Sequence, residues 1–94
     1  VLASKPSYAN NFADVSCAMQ NMMLACNELD LGSCWVNQIR HLQDNERIQA
    51  KMRELGLGED EKVYASLAIG YPDLPNGLNR RKIEPKGYKV TYVD

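Results

Sequence analysis

In the first third of the chain the apolar residues fall at helical spacing. Across "ADVSCAMQNMMLACNEL", residues 13–29, Val15, Ala18, Met19, Met22, Ala25, Cys26 and Leu29 recur every three or four positions. Met23 and Leu24 carry this stripe round most of the circumference, leaving Ser16, Gln20, Asn27 and Glu28 as the polar remainder. The pattern predicts a helix that needs cover on nearly every side, either from its own domain or from a partner. Asp14 places a carboxylate where the free amides of a first turn favour one. A second, amphipathic helix is expected over "NERIQAKMREL", residues 45–55, with a narrow stripe of Ile48, Met52 and Leu55. Asp44 is its expected cap and Gly56 the left-handed residue beyond its end. Glu46, Arg47, Lys51 and Arg53 read as its solvated face.

Elsewhere the period changes. "KVYASLAIGYP" alternates Val63, Ala65, Leu67 and Ile69 with Tyr64, Ser66 and Ala68, which predicts a strand covered on both faces and stopped at Pro72. "DLPNGLNRRK" follows as a loop of turn residues ending in the basic triplet Arg80, Arg81 and Lys82. The tail "GYKVTYVD" alternates again and predicts a strand, with no hairpin partner nearby, so it must pair at a distance or with another chain. Between the helices, "LGSCWVNQI" (31–39) is too short for a helix and too polar at its end for a buried strand. It is expected to be a turn around Trp35, the only tryptophan.

Ninety-four residues make one small region whose own core is marginal. With 45% hydrophobic and 24% charged residues the chain reads as globular. A net charge of −1 gives no reason to expect nucleic acid or an anionic membrane as partner. No apolar run approaches the roughly 20 residues that span a bilayer. The start, "VLASKPSYANNF", has no signal-peptide pattern, lacks methionine and reads as the end of a strand, so the chain is expected to be a processed product, a piece of something longer or an unusually reduced protein.

Composition also limits the chemistry. The three cysteines, Cys17, Cys26 and Cys34, fit no metal spacing and are expected to be buried apolar residues in a reducing cytoplasm. His41 stands in a connector with no evident carboxylate partner and reads as a surface or turn residue. Glu59, Asp60 and Glu61 read as a solvated turn, and "GLGED" lacks the spacing of a phosphate loop. Two segments are left. One is the Trp35 turn; the other is the basic triplet, which is either plain surface charge or a grip for an anionic group.

Taken in order, "DVSCAMQNMMLACNELDLGSCWV", "MRELGLGEDEKVYASLAIGYP" and "NRRK" resemble the C-terminal half of the flavin-dependent nitroreductase family over most of the chain. The resemblance implies an α+β fold: a sandwich around a mainly antiparallel sheet, of which residues 1–94 form a single region, half of an intertwined dimeric flavoprotein domain. The long apolar helix would lie at the core of a homodimer and the tail strand in the partner's sheet. FMN would sit at the dimer interface and carry electrons from NAD(P)H to nitroaromatics, quinones or similar small-molecule acceptors.

By position, the resemblance places Trp35, Val36, Asn37 and Gln38 along the flavin ring, with the backbone N–H at Asn37 toward its reactive edge. Asn79 and Arg81 fall on the family's basic pair, so Arg81 would meet the FMN phosphate, while Asn79 replaces the usual lysine and Arg80 or Lys82 would have to compensate. Asp30 stands where the family often has glycine. The arginine- and serine-rich segment with which the family grips the phosphate and ribityl chain is absent from these residues. A flavin-binding module without turnover, or an oligomerisation half without activity of its own, are the alternative readings. The resemblance singles out neither a catalytic side chain nor a metal ligand.

Overall fold

The structure, a computed structural model, describes residues 1–75, 77 and 83–93. Among these, a short strand β1 (Leu2–Ser4) leads into the long helix α1 (Asn11–Glu28). Strand β2 (Gly32–Val36), the short helix α2 (Gln38–Leu42), helix α3 (Glu46–Glu54) and strand β3 (Lys62–Gly70) follow. The architecture is α+β. The sheet is antiparallel with order β1-β3-β2, so the last strand in the sequence is the central one in space.

The helical stripe of α1 does what its spacing predicts. Val15 and Met19 are buried and pack with Ala65 of β3, while Leu2, Met23, Trp35, Tyr64 and Leu67 close around them. Asp14 lies in the first turn, as expected. The same helix leaves Phe12, Met22 and Leu24 exposed, with Leu29 just beyond its end, because the strands cover only one side of it. The radius of gyration, 16.7 Å, exceeds the roughly 12 Å of a compact domain of this length.

The two longer helices end alike. Beyond α1, Leu31 N–H donates to Cys26 O (2.8 Å) and Asp30 N–H to Asn27 O (3.3 Å). Beyond α3, Leu57 N–H donates to Met52 O (3.0 Å) and Gly56 N–H to Arg53 O (2.9 Å). Both are Schellman endings, which need a left-handed residue at the turn. Gly56 supplies it at φ +99°, and Asp30, in place of glycine, adopts φ +57°.

Several expectations need correction. Residues 32–36 are a strand and not a turn: Gly32, Ser33, Cys34, Trp35 and Val36 pair with Gly70, Ile69, Ala68, Leu67 and Ser66. The residues after it, expected as a connector, form α2. Asn45, not Asp44, caps α3, its side chain accepting from Arg47 N–H (3.0 Å) while its own backbone is extended. β3 is covered along its first half only: Val63, Ala65 and Ser66 are buried, whereas Ala68, Ile69 and Gly70 are exposed. Residues 83–93 form neither strand nor helix, and Tyr88 is fully exposed. Within the described residues of this chain no strand pairs with this alternation. Of the three free cysteines only Cys26 is buried; Cys17 and Cys34 are exposed.

Candidate functional site at the junction of strand β2 and helix α2

β2 lies at one edge of the sheet, and its last residues are fixed from several directions. Trp35 pairs with Leu67 and packs against the Val15–Met19–Ala65 cluster, which buries part of the indole and leaves the rest accessible. Val36 pairs with Ser66, whose buried hydroxyl donates to the Val36 carbonyl. The strand therefore ends at a defined point, and the chain turns into α2 at Asn37.

Asn37 is the cap residue of α2, with φ −91° and ψ −13°, and its side chain makes no capping hydrogen bond. The first amides of a helix have no acceptor within it. Those of α2 begin at Gln38, which with Asn37 is exposed at the mouth of the junction. The Asn37 side chain points elsewhere: its Nδ2 lies 3.1 Å from Nε2 of His41, one turn on. The last turn of α2 is basic, with Arg40 and His41. Arg40 is held to α1, its guanidinium carbon 4.4 Å from the centroid of the Phe12 ring.

Gln43, which the sequence did not single out, anchors the far end of α2. Its amide nitrogen donates to Arg40 O (2.9 Å) and Val63 O (3.1 Å), and its carbonyl accepts from Val63 N–H (2.9 Å). One side chain thus meets the β3 backbone beyond the last β2 residue, as another strand residue would. Asn11 does similar work at the start of α1, donating to Tyr64 Oη (2.9 Å) and Lys5 O (3.2 Å). A lone glutamine or asparagine carries no periodic signal, so neither role was visible in the sequence. Lys5 and Asp60 form an exposed ion pair at 2.9 Å. The hydrogen bond and charge of the pair raise the Lys5 pKa and lower that of Asp60.

The junction thus brings together Trp35, Val36, Asn37 and Gln38, four of the six residues expected to contact a cofactor. The other two, Asn79 and Arg81, lie outside the described residues, as does the rest of the basic triplet. No group of His, Cys, Asp and Glu suited to a metal occurs among the described residues. Among them, too, no helix is long and apolar enough to cross a membrane.

The nitroreductase family matches residues 2–71, which takes in every element from β1 to β3. The chain belongs to the nitroreductase family. The β2–α2 junction lies within the matched residues, and Asn79 and Arg81 lie beyond them. Among solved structures, the chain is similar to a nitroreductase with bound FMN from Bacteroides fragilis. The identity is 32%, the TM-score 0.82, and the likeness covers 98% of this chain and 48% of that one. The chain therefore spans about half the length of that structure. No curated protein gives a significant match.

Proposed function

We propose that this chain forms the C-terminal half of an FMN-dependent nitroreductase and supplies the flavin-ring wall and part of the phosphate grip. The observation that carries the reading is the β2–α2 junction, in a chain that resembles an FMN-bound nitroreductase over 98% of its length. Its residues suit the group. Trp35 and Val36 offer partly accessible apolar surface to a flat ring. The amides at Asn37 and Gln38 are donors held in place by the strand before them and the helix after them. A fixed donor stabilises charge arriving on a neighbouring atom with little reorganisation.

FMN, when bound, supplies the redox chemistry, taking hydride from NADH or NADPH and passing electrons to a nitroaromatic, a quinone or a similar acceptor. The work of this chain is binding and orientation. Arg81 would neutralise the FMN phosphate, with Arg80 or Lys82 making up for the lysine that Asn79 replaces.

The exposed side of α1 and the exposed tail from Tyr88 to Val93 support a homodimer. Copies meeting there would cover Phe12, Met22 and Leu24. Three free thiols, two of them exposed, suit the reducing cytoplasm. The test is to purify the natural full-length protein, record its visible spectrum and add NADH or NADPH without oxygen. Flavin absorbance that bleaches with either nucleotide supports the reading; a colourless protein that takes up no FMN refutes it.

A further inference from the structure

Ser66 is a polar residue in the buried first half of β3. Ala65 before it is fully buried, and Ser66 itself is only 4% exposed, so water does not compete for its hydroxyl. A hydroxyl taken out of water costs free energy unless it finds an acceptor. Alanine, which β3 carries on either side as Ala65 and Ala68, would fill the place without that cost. The hydroxyl does find an acceptor: it donates to the carbonyl of Val36, the last residue of β2 and the strand partner of Ser66.

A carbonyl does not turn alone. The peptide unit is planar and trans, so the Val36 C=O and the Asn37 N–H lie in one plane and point in opposite directions. With the carbonyl turned to Ser66 on β3, the N–H of Asn37 points away from β3. β2 is an edge strand, in the order β1-β3-β2, and no further strand lies on that side of it among the described residues. The Asn37 N–H makes none of the turn or cap hydrogen bonds among those residues. It belongs to the peptide that closes the strand, ahead of the first amide of α2, so its direction is set from β3 and not by the helix.

We infer that Ser66 is a positioning residue for the flavin site: its buried hydroxyl fixes the Val36–Asn37 peptide plane and so aims the Asn37 N–H out across the open edge of β2. Trp35, one residue back, is paired with Leu67 and packed on the Val15–Met19–Ala65 cluster, which holds the strand as a whole. The hydroxyl adds control of the tilt of the peptide after Val36. A donor already aimed stabilises charge arriving on the ring with little reorganisation, and one free to tilt does so less well.

The consequence for the cofactor rests on the flavin reading, whereas the aim of the N–H does not, and the experiment separates the two. In the full-length protein, Ser66→Ala removes the hydroxyl and adds no volume, while Ser66→Thr keeps a hydroxyl on a side chain that strands accept. Ser66→Ala should bind FMN about twofold to tenfold more weakly, the worth of one net hydrogen bond. The midpoint potential of the bound flavin should become more negative, because reduction puts charge on the edge that the donor faces. Ser66→Thr should restore affinity and potential together, and Ser66→Cys, with a weak donor of similar shape, should fall between Ser66→Ala and the unaltered protein. Residual dipolar couplings of the Asn37 N–H in the cofactor-free protein read the direction of the bond itself; they should change in Ser66→Ala and return in Ser66→Thr. An unchanged potential or an unchanged Asn37 coupling in Ser66→Ala overturns the inference even where affinity falls, since lost packing weakens binding without re-aiming a donor. FMN binding in that case leaves the flavin reading intact. A protein that takes up no FMN refutes the flavin reading, and an Asn37 N–H that turns in Ser66→Ala then keeps the positioning contact.

Discussion

Asn37 has two hydrogen-bonding parts with different duties. Its side chain meets His41, and its backbone N–H lies where β2 gives way to α2. Replacing the side chain and deleting the N–H should therefore have different costs. Asn37→Ala should leave FMN binding nearly intact, because the donor toward the ring is the backbone N–H. Asn37→Pro removes the N–H at a backbone angle, φ −91°, not far from what proline accepts. Its cost should reach about 1.5–3 kcal/mol, the range for a hydrogen bond to a charged group. Flavin titrations of the two variants in the full-length protein give the comparison, and equal losses would place the backbone donor elsewhere. Gly56 offers a test without the cofactor. An added Cβ would meet nothing within 4 Å, so Gly56→Ala is penalised only by its φ of +99°. Urea unfolding should show a loss of about 1–2 kcal/mol, the cost of a left-handed residue with a side chain.

At the scale of elements, the ion pair between Lys5 and Asp60 joins the end of β1 to the approach to β3. Lys5 lowers the pKa of Asp60, so the carboxylate's contribution is present above its ordinary value of 3.8 and is lost as pH falls through the lowered one. Asp60 raises the pKa of Lys5, so that contribution is present below 10.5 and is lost as pH rises through the raised value. Both side chains are solvent-exposed, and salt should erase much of the effect. A double-mutant cycle of Lys5→Ala and Asp60→Ala, read by unfolding at neutral pH in low and high salt, should show a small coupling that fades with salt. The elements themselves were unequally legible in the sequence. α1, α3 and β3 announce themselves because each carries a long run at one period. β2 does not: Gly32, Ser33 and Cys34 show no alternation, and the strand exists because β3 offers it a backbone to pair with. α2 is too short to show a period. Choosing between Asp44 and Asn45 as cap needed the backbone, since both residue types cap well and only Asn45 reaches the Arg47 amide. The tail shows the reverse case, an alternation that pairs with no strand among the described residues. At the site, the resemblance located the segment, while the contacts of Ser66, Gln43 and His41 that hold it required coordinates.

For the whole molecule, Met19 and Met22 mark two sides of one helix. Met19 is 0% exposed beneath the sheet, and Met22 is 36% exposed on the side left open. If a second copy covers that side, Met22→Lys buries a charge without a partner and should break the assembly, at a cost of several kcal/mol. Analytical ultracentrifugation of the full-length protein should show a dimer that Met22→Lys converts to monomer or to unfolded chain. A Met22→Lys protein that remains a stable dimer would remove α1 from the interface. The central claim is that the β2–α2 junction forms a wall of the FMN site, and Trp35, the only tryptophan of the chain, reports on it. The most direct measurement is Trp35 emission during FMN titration of the full-length protein, with any other tryptophan replaced by phenylalanine. The account predicts saturable quenching that follows flavin binding and is weakened in Asn37→Pro. Emission that stays unchanged while FMN demonstrably binds would contradict it, and Trp35 would then be a core residue facing away from the cofactor.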